Sequence, residues 1–554
     1  MSDYQPPSGT PEYLESGPGL PSAPDQLPPG EEAPSARRRR RTPWVVAIVA
    51  VLLLGGGAAA WAVMSFFRQG AQPAEALPAS TLAYVSIDLD PSGGQKIDAF
   101  KTLNKFPAFK DQVGVNSTDD VRRKIGQAFI SDLGCDGMSY ADDIEPWLGD
   151  RAAFAAVDVG GQDPVPVAVV QSQDDGKARA ALKAIAACGD SGSDDGFVVT
   201  DGWAVLADTQ DQADQVVAAT GKGTLADDAT YQQWNDRLGD AGVVNLYAAP
   251  KAGVYLAGQL NRWASYLTDS SSGFSSPELM PSGSAAIDPT GKLTQELRDF
   301  QGAAATVRFN GNGLELAVVS ESTLSGTAGF IGDRAGAAVT RLPDDTAATF
   351  SASLNKGWLT TVLDRMSGVL GSGTSKSEIT DQIEQATGLT VPDDLETLLG
   401  ESTTFAVGGD IDYEALVNAS DGSQVPIGAV VQGDTDAIET VLDKVRSRDA
   451  GLADLLGSDS TGDLVAIGPS ADYRQQLLAG GHLGDTPAFQ HVVPSPDHAS
   501  EVLFVDMDRF EKSIAEGAGS DQQTIDNVKP LEAFGFSAWV DGDLGHLSLR
   551  VSTN

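Results

Sequence analysis

Asp88, Asp90 and Ser92, followed by Gly93, put oxygen-bearing side chains at the first, third and fifth positions of a calcium-type loop and glycine at the sixth. Such a loop closes on a bidentate glutamate at its twelfth position. Ala99 stands there, so an EF-hand is excluded, and a looser cation site is the lesser reading. The better one is a strand end turning into a helix capped by Asp90 or Ser92. The four histidines, His482, His491, His498 and His546, lack HExxH spacing and have no cysteine near them, which argues against zinc. Gly468-Pro469-Ser470-Ala471-Asp472 breaks the nucleophile-elbow pattern. No phosphate-cradling GxxxxGK[ST] loop occurs, and no GxGxxG runs from a strand into a helix. Asp142-Asp143 and Asp393-Asp394 are the most tempting carboxylate pairs. In so acidic a chain they read as helix starts, where negative charge meets the positive end of the helix dipole. No catalytic residue, cofactor or metal is therefore assigned.

The remaining reactive side chains are two cysteines, Cys135 and Cys188. They stand as a disulfide candidate if the region lies outside the cytoplasm. Closing that loop would contribute up to about 4 kcal/mol through chain entropy. The compartment is indicated by Arg37, Arg38, Arg39, Arg40 and Arg41, which directly precede an uncharged, largely apolar run from Trp44 to Phe67. As a helix that run reaches roughly 36 Å, enough for a hydrocarbon core of about 30 Å. Basic residues stay on the cytoplasmic side, so the N-terminus is expected inside and the rest outside. The rival, a cleaved signal peptide with Ala74-Glu75-Ala76 as the small-residue cleavage site, needs a shorter apolar stretch.

The elements follow as residues 1–43, a disordered Pro-rich cytoplasmic tail with the basic cluster; residues 44–67, a transmembrane helix; and residues 68–76, a juxtamembrane linker. The chain carries 37 basic and 77 acidic residues, a net charge of −40. The six acidic and six basic residues before position 71 cancel, so all of it falls beyond the apolar run. That opposes binding to nucleic acid or to an anionic bilayer face.

The region beyond the linker exceeds one ordinary core, and it repeats itself. Leu77-Pro78-Ala79-Ser80-Thr81 recurs as Leu342-Pro343-Asp344-Asp345-Thr346, and Asp142-Asp143-Ile144-Glu145 as Asp393-Asp394-Leu395-Glu396. Val165 to Val170 matches Val425 to Val430, and Tyr231-Gln232 matches Phe489-Gln490. Val244-Asn245-Leu246-Tyr247 matches Val502-Leu503-Phe504-Val505, and Asn310-Gly311-Asn312-Gly313 matches Asp541-Gly542-Asp543-Leu544. The expected division is a first ectodomain copy at 77–321, a connector at 322–339 and a second copy at 340–554. Within the first copy, strands are predicted at Leu82 to Ile87, Arg151 to Asp158, Val165 to Gln171 and Val243 to Ala248, with hairpins at Asp201-Gly202 and Asn312-Gly313. Helices are predicted at Ile97 to Lys105, Val121 to Leu133 and Lys177 to Ala187. The fold class is α+β, a tandem duplication of an antiparallel-sheet-plus-helices unit, preceded by one transmembrane helix and a disordered N-terminal tail.

The Leu-Pro start, Tyr84 to Pro91, Phe106-Pro107-Ala108-Phe109 and Ile144-Glu145-Pro146-Trp147-Leu148-Gly149-Asp150-Arg151 resemble the bacterial DUF3352 family. The resemblance is strongest in the first copy. It implies a membrane-anchored protein of actinobacterial type and carries over no activity. The expected function is a single-pass membrane protein with a non-catalytic extracytoplasmic binding or scaffolding ectodomain. Its partners are the lipid bilayer, through the helix, and an unknown envelope protein or ligand. The alternatives are a solute- or lipid-binding ectodomain with a cleft between the copies, and an envelope hydrolase.

Overall fold

The computed structural model describes residues 71–88, 93–108, 137–161, 163–188, 196–259, 292–311, 313–321, 331–370, 376–409, 424–448, 453, 455–511 and 521–554. The tail, Arg37 to Arg41, the Trp44 to Phe67 run, Cys135 and the Val121 to Leu133 helix all lie outside these residues. Among the described residues no helix is long and apolar enough to cross a membrane.

The strands are β1 (Thr81–Asp88), β2 (Leu148–Val157), β3 (Val165–Ser172), β4 (Gly196–Thr200), β5 (Trp203–Ala207), β6 (Val244–Ala248), β7 (Ala303–Asn310) and β8 (Gly313–Glu321), then β9 (Thr346–Ser353), β10 (Ser402–Gly408), β11 (Ile427–Gln432), β12 (Ser458–Thr461), β13 (Leu464–Ile467), β14 (Ala499–Asp506), β15 (Leu531–Asp541) and β16 (Leu544–Thr553). They form one sheet in which every neighbour is antiparallel. From its middle outward one side runs β8-β7-β6-β1-β2-β3-β5-β4 and the other β16-β15-β14-β9-β10-β11-β13-β12. The two orders are the same, each strand matching the one eight places later in the chain. The halves meet where β8 pairs with β16, Ala317 lying opposite Ser548. With the β7–β8 and β15–β16 turns superposed in sequence, Ala317 and Ser548 are equivalent positions, so this pair marks a local two-fold relation.

The helices used below are α1 (Gly93–Leu103), α2 (Asp175–Cys188), α3 (Gln210–Thr220), α4 (Ala229–Leu238), α5 (Lys292–Arg298), α6 (Ala335–Thr340), α7 (Trp358–Leu370), α8 (Lys376–Thr387), α9 (Asp393–Leu399), α10 (Thr435–Arg448), α11 (Ala471–Ala479), α12 (Pro487–Val492) and α13 (Gln522–Val528). The repeated Leu-Pro-x-x-Thr has a local reason. Thr81 Oγ1 donates to the Pro78 carbonyl at 2.7 Å, and Thr346 Oγ1 to the Pro343 carbonyl at 2.7 Å, closing the same turn into a strand. Leu77 and Leu342 are buried below it. The Asp201-Gly202 hairpin forms as the turn chemistry requires, with φ of 51° and 80°.

The folded body begins earlier than the Leu-Pro start. Pro73–Ala76 is a 3₁₀ turn with Pro73, Ala74 and Ala76 buried, tied down by Ala226 N–H donating to the Ala74 carbonyl at 3.1 Å. Ala74 and Ala76, the small residues that imitate a cleavage site, are core residues. Likewise α6, at the end of the expected connector, buries Ala335, Gly336 and Val339 against β9 and β14.

Two of the sequence matches shift by one residue. The bulges after Thr81 and Thr346 make β1 and β9 equivalent, and Tyr247 faces Tyr84 where Phe504 faces Thr349. Tyr247 therefore corresponds to Phe504, not Val505. Both are buried, as a period-two alternation demands. Val165 faces Val157, and Pro426 accepts from Gly408 at 2.8 Å, so Val165 corresponds to Pro426 rather than Val425.

At the two ends of the sheet, edge strands β4 and β12 are held by side chains. Gln210 accepts from Phe197 N–H through Oε1 and donates to the Phe197 carbonyl through Nε2, both at 3.2 Å, as a neighbouring strand would. Arg474 Nε donates to Asp459 Oδ2 at 2.8 Å on β12.

Candidate functional site

Among the described residues, a dense cluster of charge with a buried carboxylate at its centre sits on the β8–β16 seam. Alternation along β8 turns Glu315 to the helix-covered face, where its side chain is 3% exposed. Arg308 lies opposite it on β7 and Arg550 opposite it on β16. Arg308 Nε donates to Glu315 Oε2 at 2.7 Å. Arg550 Nε and Nη2 donate to Oε1 at 3.0 and 2.9 Å, and the Ser548 hydroxyl adds a third donor to that oxygen at 3.1 Å. Burial pushes Glu315 up. The hydrogen bond from Arg308 and the charges of Arg550 and Arg308 outweigh it, and the carboxyl is held below its ordinary range. A carboxylate held by two guanidiniums and a hydroxyl is ionised at neutral pH and poorly placed to take a proton from a substrate. It works as a clamp between the halves.

The two-fold relation puts Trp539, His546 and Val319 where the triad has Arg308, Glu315 and Arg550. Trp539 and His546 stack with centroids 5.0 Å apart and planes 5° apart. Burial pushes His546 down, partly offset by the Asp541 charge, which favours the neutral ring suited to stacking. One side of the seam is thus joined by charge, while on the other the aromatic stack lies within the second half and His546 meets Val319 across the seam. Further ties cross it: Lys105, just past α1, donates through Nζ to the Thr553 carbonyl at 3.1 Å and Oγ1 at 2.9 Å. Ala108 N–H donates to Asn527 Oδ1 on α13 at 2.9 Å. In the opposite sense α7 packs against α5.

Each half has its own aromatic centre. In the first, Tyr231 on α4 sits edge-on to Tyr84 and Tyr247, at 5.8 and 5.1 Å. Burial, with the Tyr231 charge second, holds Tyr84 far above its ordinary value. In the second, Phe489 on α12 packs on Phe504 at 5.3 Å. Gln232 and Gln490, next to Tyr231 and Phe489, each hold a preceding carbonyl, Ala226 at 2.9 Å and Gly484 at 3.2 Å.

A charged pair in the first half has an uncharged counterpart in the second. Asp88 and Arg151 face each other across β1–β2 with Arg151 Nε 3.1 Å from Asp88 Oδ2, both largely buried. Ser353 and Ser402 occupy the equivalent buried positions. Arg151→Ser alone leaves a carboxylate without that guanidinium and is expected to cost about 3 kcal/mol. The double change D88S/R151S, which installs the serine pair, should cost less than either single change in a denaturant-unfolding cycle. Equal or additive losses would show that the ion pair contributes independently of burial.

On the opposite sheet face, the second half leaves large apolar side chains in solvent. Phe350 on β9 and Phe405 on β10 are direct partners and are 41% and 51% exposed. Ile427 on β11, two residues from the partner of Phe405 and so on the same face, is 39% exposed.

The residues singled out in the sequence fall elsewhere. Asp88 joins the pair with Arg151, and Ala99, where a calcium loop needs glutamate, is buried in α1. Asp142 and Asp143 start a helical turn capped by Ser139, whose N–H donates to Asp143 Oδ2 at 2.8 Å. Asp393 and Asp394 start α9, with Thr390 N–H donating to Asp394 Oδ2 at 2.8 Å. Asp394 also takes Lys444 Nζ at 2.8 Å. Of the histidines, the His491 ring meets Glu532 at 2.8 Å, and the backbone N–H of His482 donates to Asp344 Oδ1 at 2.6 Å. Among the described residues, no three His, Cys, Asp or Glu side chains converge as metal ligands. Cys188 ends α2, while its proposed partner Cys135 and the arginines Arg37 to Arg41 lie outside the described residues. Sequence reasoning missed the triad, because Arg308, Glu315 and Arg550 are an isolated arginine, glutamate and arginine that only strand register brings together.

No curated protein and no solved structure matches the chain. The model of a family described as a protein of unknown function, DUF3352, matches residues 45–195, the stretch that holds the Leu-Pro start and the Ile144 to Arg151 motif, and over that stretch the chain is similar to DUF3352.

Proposed function

We propose that this is a single-pass membrane protein whose body is two fused copies of one α+β unit. That body acts outside the membrane as a non-catalytic binding or scaffolding module. The observation that carries the reading is the seam. The best-organised charged cluster among the described residues has its acceptors taken by arginines from both halves, so it stiffens the body rather than facing a substrate. The continuous β8–β16 ladder favours a rigid platform over a hinged pair of lobes closing on a solute. The topology rests on the arginine run before Trp44 to Phe67 and on the acidic charge beyond it.

Protease added to intact protoplasts should digest the acidic body and spare the Pro-rich front. Digestion of the front with protection of the body would overturn the orientation. In-cell cross-linking should then trap a partner with the full-length anchored chain. If a small molecule, rather than a protein, co-purifies in stoichiometric amount, the scaffolding role gives way to solute binding.

A further inference from the structure

We propose that the sheet face around Phe350, Phe405 and Ile427 docks a cationic amphipathic segment of a partner protein, one that presents apolar side chains flanking a lysine or arginine. The inference rests on the platform reading above and assigns that platform its contact surface and the chemistry of what it holds. Phe350 and Phe405 stand side by side across β9–β10, and Ile427 is their neighbour on β11. Leu503 on β14 lies opposite Phe350 on the other side and extends the apolar row. Contiguous exposed aromatic and aliphatic side chains on a strand face are the kind of surface that partners cover.

The same face supplies a charge. Glu501 is two residues before Leu503 on β14 and so points to the same side, diagonal to Phe350. It is half-buried, and no hydrogen bond or ion pair to its carboxylate occurs among the described residues. Burial alone pushes its carboxyl up. A lone carboxylate at the edge of an apolar row is relieved by an incoming cation and by no anion. The body as a whole repels acidic partners, since the chain carries −40. The first half lacks this combination: Val85, Phe154 and Val244 are less exposed or apolar where Phe350, Phe405 and Glu501 stand. The surface is therefore a feature of the second half and not of the shared fold.

The test uses the full-length chain in nanodiscs of neutral lipid and three labelled synthetic peptides read by fluorescence anisotropy. One alternates leucine and lysine, one leucine and glutamate, one serine and lysine. The leucine–lysine peptide should bind at least about tenfold more tightly than the other two. F350S/F405S should weaken it at least about tenfold, as loss of central aromatic anchors does. E501Q should weaken it about three- to tenfold and narrow the preference for lysine over glutamate. Unchanged thermal melting of the variants shows that the body stays folded, which the exposure of both phenylalanines favours. Binding of the serine–lysine peptide as tightly as the leucine–lysine one would reduce the effect to diffuse acidity and overturn the proposal. So would variants that bind like the wild type, or empty neutral nanodiscs that account for the whole signal. If in-cell cross-linking to a partner survives F350S/F405S, the platform stands and only this surface falls.

Discussion

Glu315→Ala is expected to lower the unfolding free energy of the body by about 3 kcal/mol, at the lower end of the roughly 3–5 kcal/mol that follows removal of one partner from a buried ion cluster. The lower end applies because Arg308 and Arg550 keep 20% and 19% of their side chains exposed and can draw in water once the carboxylate is gone. The loss is not the worth of an ion pair. It is the cost of leaving two guanidiniums and the Ser548 hydroxyl without their shared acceptor. R308L/E315L/R550L, which removes all the charge together, should therefore lose less than the single change. Urea unfolding of the three proteins settles the order. A loss below about 1 kcal/mol for Glu315→Ala would mean that the seam is already solvated and holds nothing. The pH dependence has a definite sign. Glu315 is held below its ordinary range in the folded chain, so its contribution is fully present above the unfolded carboxylate value of about 4.3. It disappears as the pH falls through the lower folded value. The stability gap between wild type and the triple-leucine variant should close on acidification and stay constant from neutral pH down to about 5.

Phe504→Ala should be the most damaging single change in the second half, at about 3–5 kcal/mol. Phe504 and Phe489 are among the largest fully buried side chains, and α12 above them has little freedom to settle into a cavity. Pro487 opens the helix, and a side chain at Gly535 below it would meet the Val492 carbonyl at 2.4 Å, so helix and strand are already in backbone contact. Because β14 belongs to the same sheet as the first half, the loss should lower one common calorimetric transition. Two separated transitions, with the first half unmoved, would show that the β8–β16 ladder does not couple the halves.

Much of the architecture was legible in the chain. Leu77-Pro78 to Thr81 and its repeat were visible because a threonine hydroxyl must close that turn twice. The Asp201-Gly202 hairpin was visible because few residues accept two successive positive φ angles. Tyr231-Gln232 and Phe489-Gln490 were matched correctly because an aromatic residue and an amide with fixed partners are distinctive. The Val165 and Val244 runs were matched one residue out of place for the opposite reason. In a stretch of Val, Ala, Ile and Leu any register reads equally well, and hydrogen-bonded neighbours, with the bulges after Thr81 and Thr346, decide it. The seam could not be read at all. Glu315 and Arg550 are 235 residues apart, and only the meeting of two particular strand edges makes them a pair. Phe405 and Phe350 alternate as strand residues do, and that pattern says which face they share but not whether anything covers it.

The amide of Gln210 against β4 and the arginine-held, hydroxyl-rich β12 have a consequence for self-association. Both long central edges are consumed in joining the halves, so another molecule could add itself only at a rim five residues long on one side or four on the other. On one rim Gln210 takes both outward bonding positions of Phe197, and the other offers Ser458, Asp459, Ser460 and Thr461. A body this rich in strands is thereby kept from polymerising end to end.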